Sequence, residues 1–287
     1  MSLTTLALHV LNGLTFAALL FLLASGFTLV FGLMRIMNLA HGAFYLVGGY
    51  IGLTVLVATG NFVLATLSAG AAIALLGLGA ERVLLRRLRG QVLPEVLLTI
   101  GLAFVLGDLA LAIWGGDPQS VPRPGFLGAS LTIADVTYPA FRIVVLGVGI
   151  VIGGAIWYLQ EGTRIGAIVR AGVDDSETVE ALGIDIKRVF TLVFCFGAFL
   201  AGLTGVLGGA FLALYPGADF EILTYALVVV IIGGPGSLPG AAVGSVAVGL
   251  IDAFGKALAP ELTYFTVFLP MALILAWRPH GLFGRLA

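Results

Sequence analysis

Long apolar runs, separated by short polar interruptions, follow one another along almost the whole sequence. The runs cover residues 6–33, 43–59, 62–80, 92–114, 141–159, 189–214, 223–232, 241–254 and 264–277. About 20 apolar residues in a helix cross the hydrocarbon core of a bilayer, whereas the strands of a membrane barrel alternate apolar and polar residues. The pattern therefore predicts an all-α, polytopic integral membrane protein, with about eight to nine transmembrane helices in a single domain over residues 1–287.

The last third of the chain contains a strong helix-breaking stretch, GGPGSLPG. Proline lacks a backbone donor and glycine favours other conformations, so no continuous helix is expected through it. We predict a broken helix at Gly233, Gly234, Pro235, Gly236, Pro239 and Gly240. The pattern leaves open whether residues 223–254 cross the membrane twice or form one interrupted crossing.

Composition agrees with a membrane location. Of the 287 residues, 60% are hydrophobic and only 10% are charged, and the mean hydropathy is +1.14. An ordinary soluble domain carries about 25% charged residues, so that class is excluded. The single cysteine, Cys195, lies inside an apolar run, and no metal-ligand spacing is present. We therefore predict no metal site.

Positive charges are distributed unevenly between alternate interruptions. The segments 34–42, 81–90, 160–188 and 278–287 carry one, four, four and two Lys or Arg, whereas the opposite side carries only Arg123, Arg142 and Lys256. Positively charged loops remain in the cytoplasm, so these four segments are predicted to be cytoplasmic. The prediction requires the Gly-Pro stretch to lie on the cytoplasmic side or within the membrane.

The segment Thr163–Gly183, here called the polar segment, is rich in charge and lies between the uncharged stretches 143–159 and 189–214. Thr163 can cap a short helix that Gly172 ends, and one of the three polar residues at 174–176 can cap a second helix that ends with the segment. The pattern predicts two short helices that form a compact structure in the cytoplasm.

A few polar residues lie near or within the apolar runs. Asp108 falls deep in the fourth run, where a carboxylate costs about 2.5 to 3.5 kcal/mol and should face protein or water. Asn38 and His41 can line a substrate path or satisfy free backbone groups, and both interpretations stay open. The substrate-path candidates are therefore Asn38, His41 and Asp108. Asp252 and Lys256, four residues apart, are expected to pair.

Nucleotide binding and catalysis by this chain are not expected. A phosphate-binding loop requires G-x-x-x-x-G-K-[ST], and the nearest stretch, Gly249 to Ala257, has one residue too many and lacks the hydroxyl. Three scattered histidines and one cysteine offer no triad of nucleophile, base and acid. If the protein uses ATP, another subunit must bind it.

Three stretches carry a likeness to a known family. They are GFTLVFGLMRIMNLAHGAFYLVGGYIG at 26–52, TRIGAIVRAGVDDSETVEALGID with KRVFTLVFCFGAFLAGLTGVLGG at 163–209, and VVVIIGGPGSLPGAAVGSVAVG with RPHGLFG at 228–284. In these stretches the chain resembles the membrane-spanning permease subunit of branched-chain amino acid importers of the ATP-binding cassette (ABC) type.

The resemblance implies a multi-pass permease, not an enzyme, in the cytoplasmic (inner) membrane of a bacterium or archaeon. It also implies two cassette ATPase subunits that use ATP and Mg²⁺, a second permease subunit, related or identical, and a periplasmic or extracellular substrate-binding protein. The chain itself would bind no cofactor and no nucleic acid, and would work in the lipid bilayer.

In such importers a cytoplasmic loop couples the permease to its ATPases, and here that role falls on the loop at 160–188. The coupling residues implied by position are Gly166, Arg170, Ala171, Asp175, Glu180, Ala181, Leu182 and Gly183. The stretch keeps only Glu180, Ala181 and Gly183 of the fuller EAA-type loop found in many importers, which leaves the individual contacts open.

The sequence thus favours the permease subunit of an ATP-driven importer for small metabolites, with branched-chain or other apolar amino acids as the preferred cargo. Three alternatives stay open. The same architecture could move urea or small aromatic or carboxylic acids. An ion-gradient-driven secondary carrier could use Asp108 or Glu95 as its ion site. A passive channel is the third, although the sequence offers no filter-like motif for it.

Overall fold

The computed structural model describes residues 2–35, 37–133 and 136–284, which form eleven α-helices, one π-helical turn, three short 3₁₀ helices and one β-hairpin. The helices are α1 (Leu3–Met34), α2 (His41–Thr59), α3 (Phe62–Gly79), α4 (Val92–Trp114), α5 (Ala140–Gly162), α6 (Arg164–Asp174), α7 (Ser176–Ala181), α8 (Ile186–Phe211), α9 (Ala218–Gly233), α10 (Leu238–Leu258) and α11 (Thr263–Trp277). The antiparallel hairpin of β1 (Ser130–Ile133) and β2 (Val136–Pro139) lies in the long loop before α5.

Seven helical stretches in the described part of the chain are long and apolar enough to cross a membrane. They are α1, α2, α3 with its continuation to Arg87, α4, α5, α8 and α10. The predicted polytopic, all-helical architecture is confirmed, with the short hairpin as its one addition among the described residues. The predicted count of eight is reached if one of α9, with 16 residues, and α11, with 15, also crosses, and nine if both do.

Helices α1, α2 and α8 form the buried centre, whereas α3, α4 and α5 expose much of their surface. Lipid gives helices little hydrophobic reason to associate, so close packing must hold them together. A Cβ built at Gly26 of α1 would lie 2.9 Å from the carbonyl oxygen of Gly197 on α8, and one built at Gly48 of α2 would overlap Gly202 of α8. Glycines are thus what allow the central backbones to touch.

The Gly-Pro stretch reverses the chain. Gly233 faces Gly240 and Val229 faces Gly244, so α9 and α10 run antiparallel. Gly234, with φ of +99°, adopts a left-handed conformation that favours glycine. The predicted break residues divide between the end of α9 (Gly233), the turn (Gly234, Pro235, Gly236) and the first turn of α10 (Pro239, Gly240). The predicted broken helix is therefore two antiparallel helices.

This turn lies at the same end of the bundle as the C-terminal tail and the end of α1. Gly236 N–H donates to Thr28 Oγ1 at 2.9 Å. In the tail, Leu282 and Phe283 donate their N–H groups to the carbonyls of Ile232 and Gly233 at 2.9 and 3.0 Å. The turn thus lies with the positively charged tail, as the charge argument requires. We call this end, which the charge distribution predicts to be cytoplasmic, the cytoplasmic end, and the opposite one the outer end.

Candidate functional site

The polar segment forms α6 and α7 at the cytoplasmic end. Thr163 Oγ1 accepts a hydrogen bond from Gly166 N–H at 3.1 Å and caps α6, as predicted. The helix continues past Gly172 to Asp174, so the prediction that Gly172 ends it is wrong. Gly172 serves packing instead, because a Cβ there would lie 2.8 Å from Ile186 Cδ1 and 3.1 Å from Leu33 Cδ1.

Asp175 is the residue that caps α7. Its Oδ1 accepts the N–H groups of Glu177 and Thr178 at 3.1 and 3.0 Å, and the Thr178 hydroxyl donates to Oδ2. The hydrogen bonds from the Thr178 side chain and backbone favour the carboxylate and lower the pKa of Asp175. After α7 the chain turns through Gly183, whose φ is +83° and whose N–H donates to Glu180 O at 2.9 Å.

One side of this helix pair is anchored to the bundle. Gly166 is buried beneath the end of α5, where a Cβ would overlap the carbonyl group of Gln160. Arg170 Nη1 lies 3.4 Å from Glu161 Oε2 in the last turn of α5. Of the predicted coupling residues, Gly166 and Arg170 therefore hold α6 against α5.

The other predicted coupling residues face water. Exposed in this chain are Ala171, Asp175, Glu180, Ala181, Leu182 and Gly183. Leu182 keeps 75% of its surface exposed, and Ile165 on α6 keeps 66%. Large apolar side chains exposed beside acidic residues form a surface suited to contact with another protein.

A charged cluster joins the cytoplasmic ends of α3 and α8, and the sequence did not single it out. Glu81 is fully buried in a π-helical turn that follows α3. Its Oε2 accepts the hydroxyl of Thr191 at 2.8 Å and lies 3.1 Å from Arg86 Nη2, while Oε1 lies 3.6 Å from Arg89 Nη2. Thr191 is in the second turn of α8, so the cluster connects the start of α8 to the end of α3. The sequence feature that could have indicated this cluster is the single acidic residue, Glu81, next to four arginines within residues 81–90.

Asn38 and His41 lie together in the interior, with 2% and 1% of their surfaces exposed. His41 Nε2 donates to Leu23 O at 3.1 Å, and the His41 ring packs on Phe27. Leu23 precedes the end of α1 by eleven residues, about 16 Å along the helix, so α2 begins inside the bundle. Asn38 Oδ1 and His41 Nδ1 have no hydrogen-bond partner in the described part of the chain.

Asp108 does not join Asn38 and His41. It lies on the exposed side of α4, and the side chain of Phe104, one turn earlier, is also exposed and packs against Phe220 of α9. The three predicted path residues therefore form no single site in this chain. Glu95, in the first turn of α4, is buried and accepts the N–H of Gly90 at 3.0 Å.

Comparison with known proteins identifies the family. Residues 9–277 match the family described as the permease component of branched-chain amino acid transport systems. The chain belongs to this family. As a permease component it is a multi-pass membrane protein of an ABC importer system, of a kind found in bacteria and archaea, and not itself an enzyme.

Individual relatives cover almost all of this permease. It is 30% identical to the high-affinity branched-chain amino acid transport system permease protein BraD of Pseudomonas aeruginosa, over 96% of this chain and 95% of that protein. It is 28% identical to the corresponding protein LivH of Escherichia coli, over 96% and 94%. It also resembles the xylose/arabinose import permease protein XylH of Sulfolobus acidocaldarius over a shorter stretch. The sequence identity there is 27%, over 53% of this chain and 43% of that protein.

Proposed function

We propose that this permease forms part of the membrane path of an ATP-driven importer for a branched-chain or another apolar amino acid. The observation that carries the proposal is the exposed side of the polar segment at the cytoplasmic end, where Ile165 on α6 and Leu182, directly after α7, expose most of their surfaces. Burying one such side chain in a groove of a partner contributes about 1.5 to 3 kcal/mol. The partner is one of two cassette ATPases, which use ATP and Mg²⁺.

The anchored side of the polar segment is the route by which ATPase movement reaches the membrane. Arg170 links α6 to Glu161 of α5, and Gly172 packs on Leu33 of α1 and Ile186 of α8. A displacement of α6 therefore shifts the cytoplasmic ends of three long helices together. Rigid-body movements of this kind are a standard means of opening a path alternately to each side.

Asp108 supports a second permease subunit. A carboxylate at membrane depth costs about 2.5 to 3.5 kcal/mol unless it faces protein or water. Asp108 is exposed on α4 in this chain, so its side of α4 faces either the second permease or water between the two subunits. The second permease is related or identical, and a substrate-binding protein delivers cargo at the outer end.

The choice of cargo rests on the relatives. BraD and LivH, which match nearly the full length, are named for branched-chain amino acids. The sugar permease matches only about half of this chain, so it gives weaker support for sugar transport. Urea and small carboxylic acids are the other cargoes to compare.

The test is reconstitution of the chain with its second permease, its ATPases and its binding protein in proteoliposomes containing ATP. We expect saturable uptake of labelled L-leucine that requires both ATP and the binding protein, and ATP hydrolysis that the loaded binding protein stimulates. Mild detergent extraction should recover the two ATPases and the second permease with this chain. Uptake by the chain alone, driven by an ion gradient and lost in Asp108→Asn, would contradict the proposal.

A further inference from the structure

A cavity of about 310 Å³ opens at the outer end of the bundle, away from the polar segment. It lies between the outer ends of α1, α5, α8 and α10. The side chains that matter to it are His9, Asn12, Phe16, Arg142, Phe211 and Lys256. Cavities of this size are at the lower end of the range that small ligands occupy.

Arg142 gives the cavity an uncompensated positive charge. Its Nη1 donates to the neutral side chain of Asn12, and its guanidinium lies over the ring of Phe211 at 5.0 Å. No carboxylate lies within 4 Å of Arg142 among the residues that the structure describes, and its buried Nε has no acceptor there. Arg142 lines the cavity with no carboxylate beside it, so its guanidinium is suited to an anion that enters the cavity.

The other charges in the cavity neutralise each other. Lys256 Nζ lies 2.8 Å from Asp252 Oδ2, as the sequence predicts, and Tyr225 donates its hydroxyl to Asp252 Oδ1 at 2.8 Å. Each oxygen of Asp252 therefore already has one partner, and the charge of this carboxylate is balanced by Lys256. Arg142 is therefore the charge in the cavity that no carboxylate of the described residues balances.

The walls beside Arg142 are apolar and aromatic. Phe16 on α1 and Phe211 on α8 stack at 6.5 Å between ring centroids. We propose that this cavity binds the carboxylate of a small amphipathic acid at Arg142, with the apolar part of the ligand against Phe16 and Phe211. The inference rests on the proposed function in one respect: the ligand is the amino acid cargo, held within one permease subunit at its outer end.

Protection of a cysteine at the mouth of the cavity tests this proposal. Leu212 lines the cavity and is exposed, so Leu212→Cys in a Cys195→Ser background can be labelled with a membrane-impermeant thiol reagent. The assembled complex is used in phosphatidylcholine vesicles without the binding protein. We expect L-leucine and 4-methylpentanoate to protect the cysteine, and L-leucinol, which lacks the carboxylate, to have no effect.

Substitution of the arginine then tests its role. In Arg142→Gln we expect the concentration of L-leucine for half protection to rise by about tenfold or more, because a charge-assisted hydrogen bond is lost. Arg142→Lys keeps the charge and should bind more tightly than Arg142→Gln. The matched control is Arg123→Gln, because Arg123 is also at the outer end but donates to Ala210 O, outside the cavity; protection should be unchanged.

Three results would overturn the proposal. The first is equal protection by leucine and leucinol, or the same half-protecting concentration in Arg142→Gln. The second is protection by phosphatidylglycerol in the vesicles without leucine, which would assign the cavity to a lipid phosphate. The third is protection by the binding protein combined with no protection by leucine in its absence, which would assign Arg142 to docking. ATP-driven uptake is measured in parallel, so its loss with intact protection would contradict the proposed function and leave this inference standing.

Discussion

Thr191 on α8 donates its hydroxyl to the buried carboxylate of Glu81 at 2.8 Å, and Arg86 contacts both residues. Glu81→Ala removes the acceptor for all of these donors. The side chains of Arg86 and Arg89 are 40% and 28% exposed, so water compensates in part, and we expect a loss of about 1 to 3 kcal/mol in the free energy of unfolding. Thermal unfolding of the purified complex in detergent is the measurement.

The control for Glu81→Ala is Glu261→Ala, because Glu261 is exposed in the loop between α10 and α11. It should leave the unfolding midpoint nearly unchanged. Equal midpoints for the two variants would show that the charged cluster does not hold α3 to α8.

Gly183→Pro should separate ATP hydrolysis from transport. Proline cannot adopt a φ of +83°, and the hydrogen bond from residue 183 to Glu180 O is lost, so the exposed turn after α7 changes shape. Leucine uptake is expected to fall by at least about tenfold, equivalent to ~1.4 kcal/mol, while the complex still assembles. Glu180→Arg, which reverses a charge on the same surface, should act in the same direction.

Gly60→Pro is the matched control for Gly183→Pro. Gly60 has a φ of +67° and also donates its N–H to a helix carbonyl, that of Leu56, but it lies in the turn after α2 at the outer end. Backbone strain is therefore similar, and uptake should be retained. Normal uptake by both Gly183→Pro and Glu180→Arg would disprove the coupling role of the polar segment.

Gly48→Ala should destabilise the bundle. A Cβ at position 48 would overlap the backbone of Gly202, so α2 and α8 must move apart, and such overpacking costs about 1 to 3 kcal/mol. Gly154→Ala, on α5, is the control because nothing lies within 4 Å of the added carbon in this chain. Alanine also favours a helix, so thermal unfolding of Gly154→Ala should occur at an equal or higher temperature.

The cap of α7 should weaken only in acid. The pKa of Asp175 is lowered in the folded chain by its hydrogen bonds from Thr178. A lowered pKa gives a contribution that is complete above the ordinary carboxylate value, about 4, and is lost as the pH falls through the folded value. Hydrogen exchange of the amides at 176–183 should therefore show an acid-dependent loss of protection.

Asp175→Asn is the control for that measurement, because asparagine caps a helix about as well as aspartate but does not titrate. Its amides should lack the acid-dependent step while keeping protection near neutral pH. The same acid-dependent loss in Asp175→Asn would assign the effect to another carboxylate.

The sequence predicts the helices well because each apolar run is bounded by turn or cap residues. The fourth run, 92–114, coincides with α4, and Thr163 caps α6 as its position before an amphipathic stretch indicates. Such features depend on neighbours within a few positions along the chain.

Features set by distant contacts could not be predicted in the same way. Glycine often ends a helix, so the local sequence predicts a helix end at Gly172. The structure instead requires glycine there because a side chain would crowd Leu33, which is far away in sequence. The composition of 233–240 shows that a helix breaks without showing that the chain reverses, since this depends on the packing of Gly233 against Gly240. The exposure of Asp108 likewise depends on which helices cover α4.

The C-terminal tail has a consequence for the order in which this permease matures. Leu282 and Phe283 supply the donors for Ile232 O and Gly233 O, two of the last carbonyls of α9, which have no partner within their own helix. These donors are synthesised fifty residues after the carbonyls, which at about 5 to 20 residues per second takes several seconds. Newly inserted α9 therefore lacks the tail donors for these two carbonyls until α11 has been made.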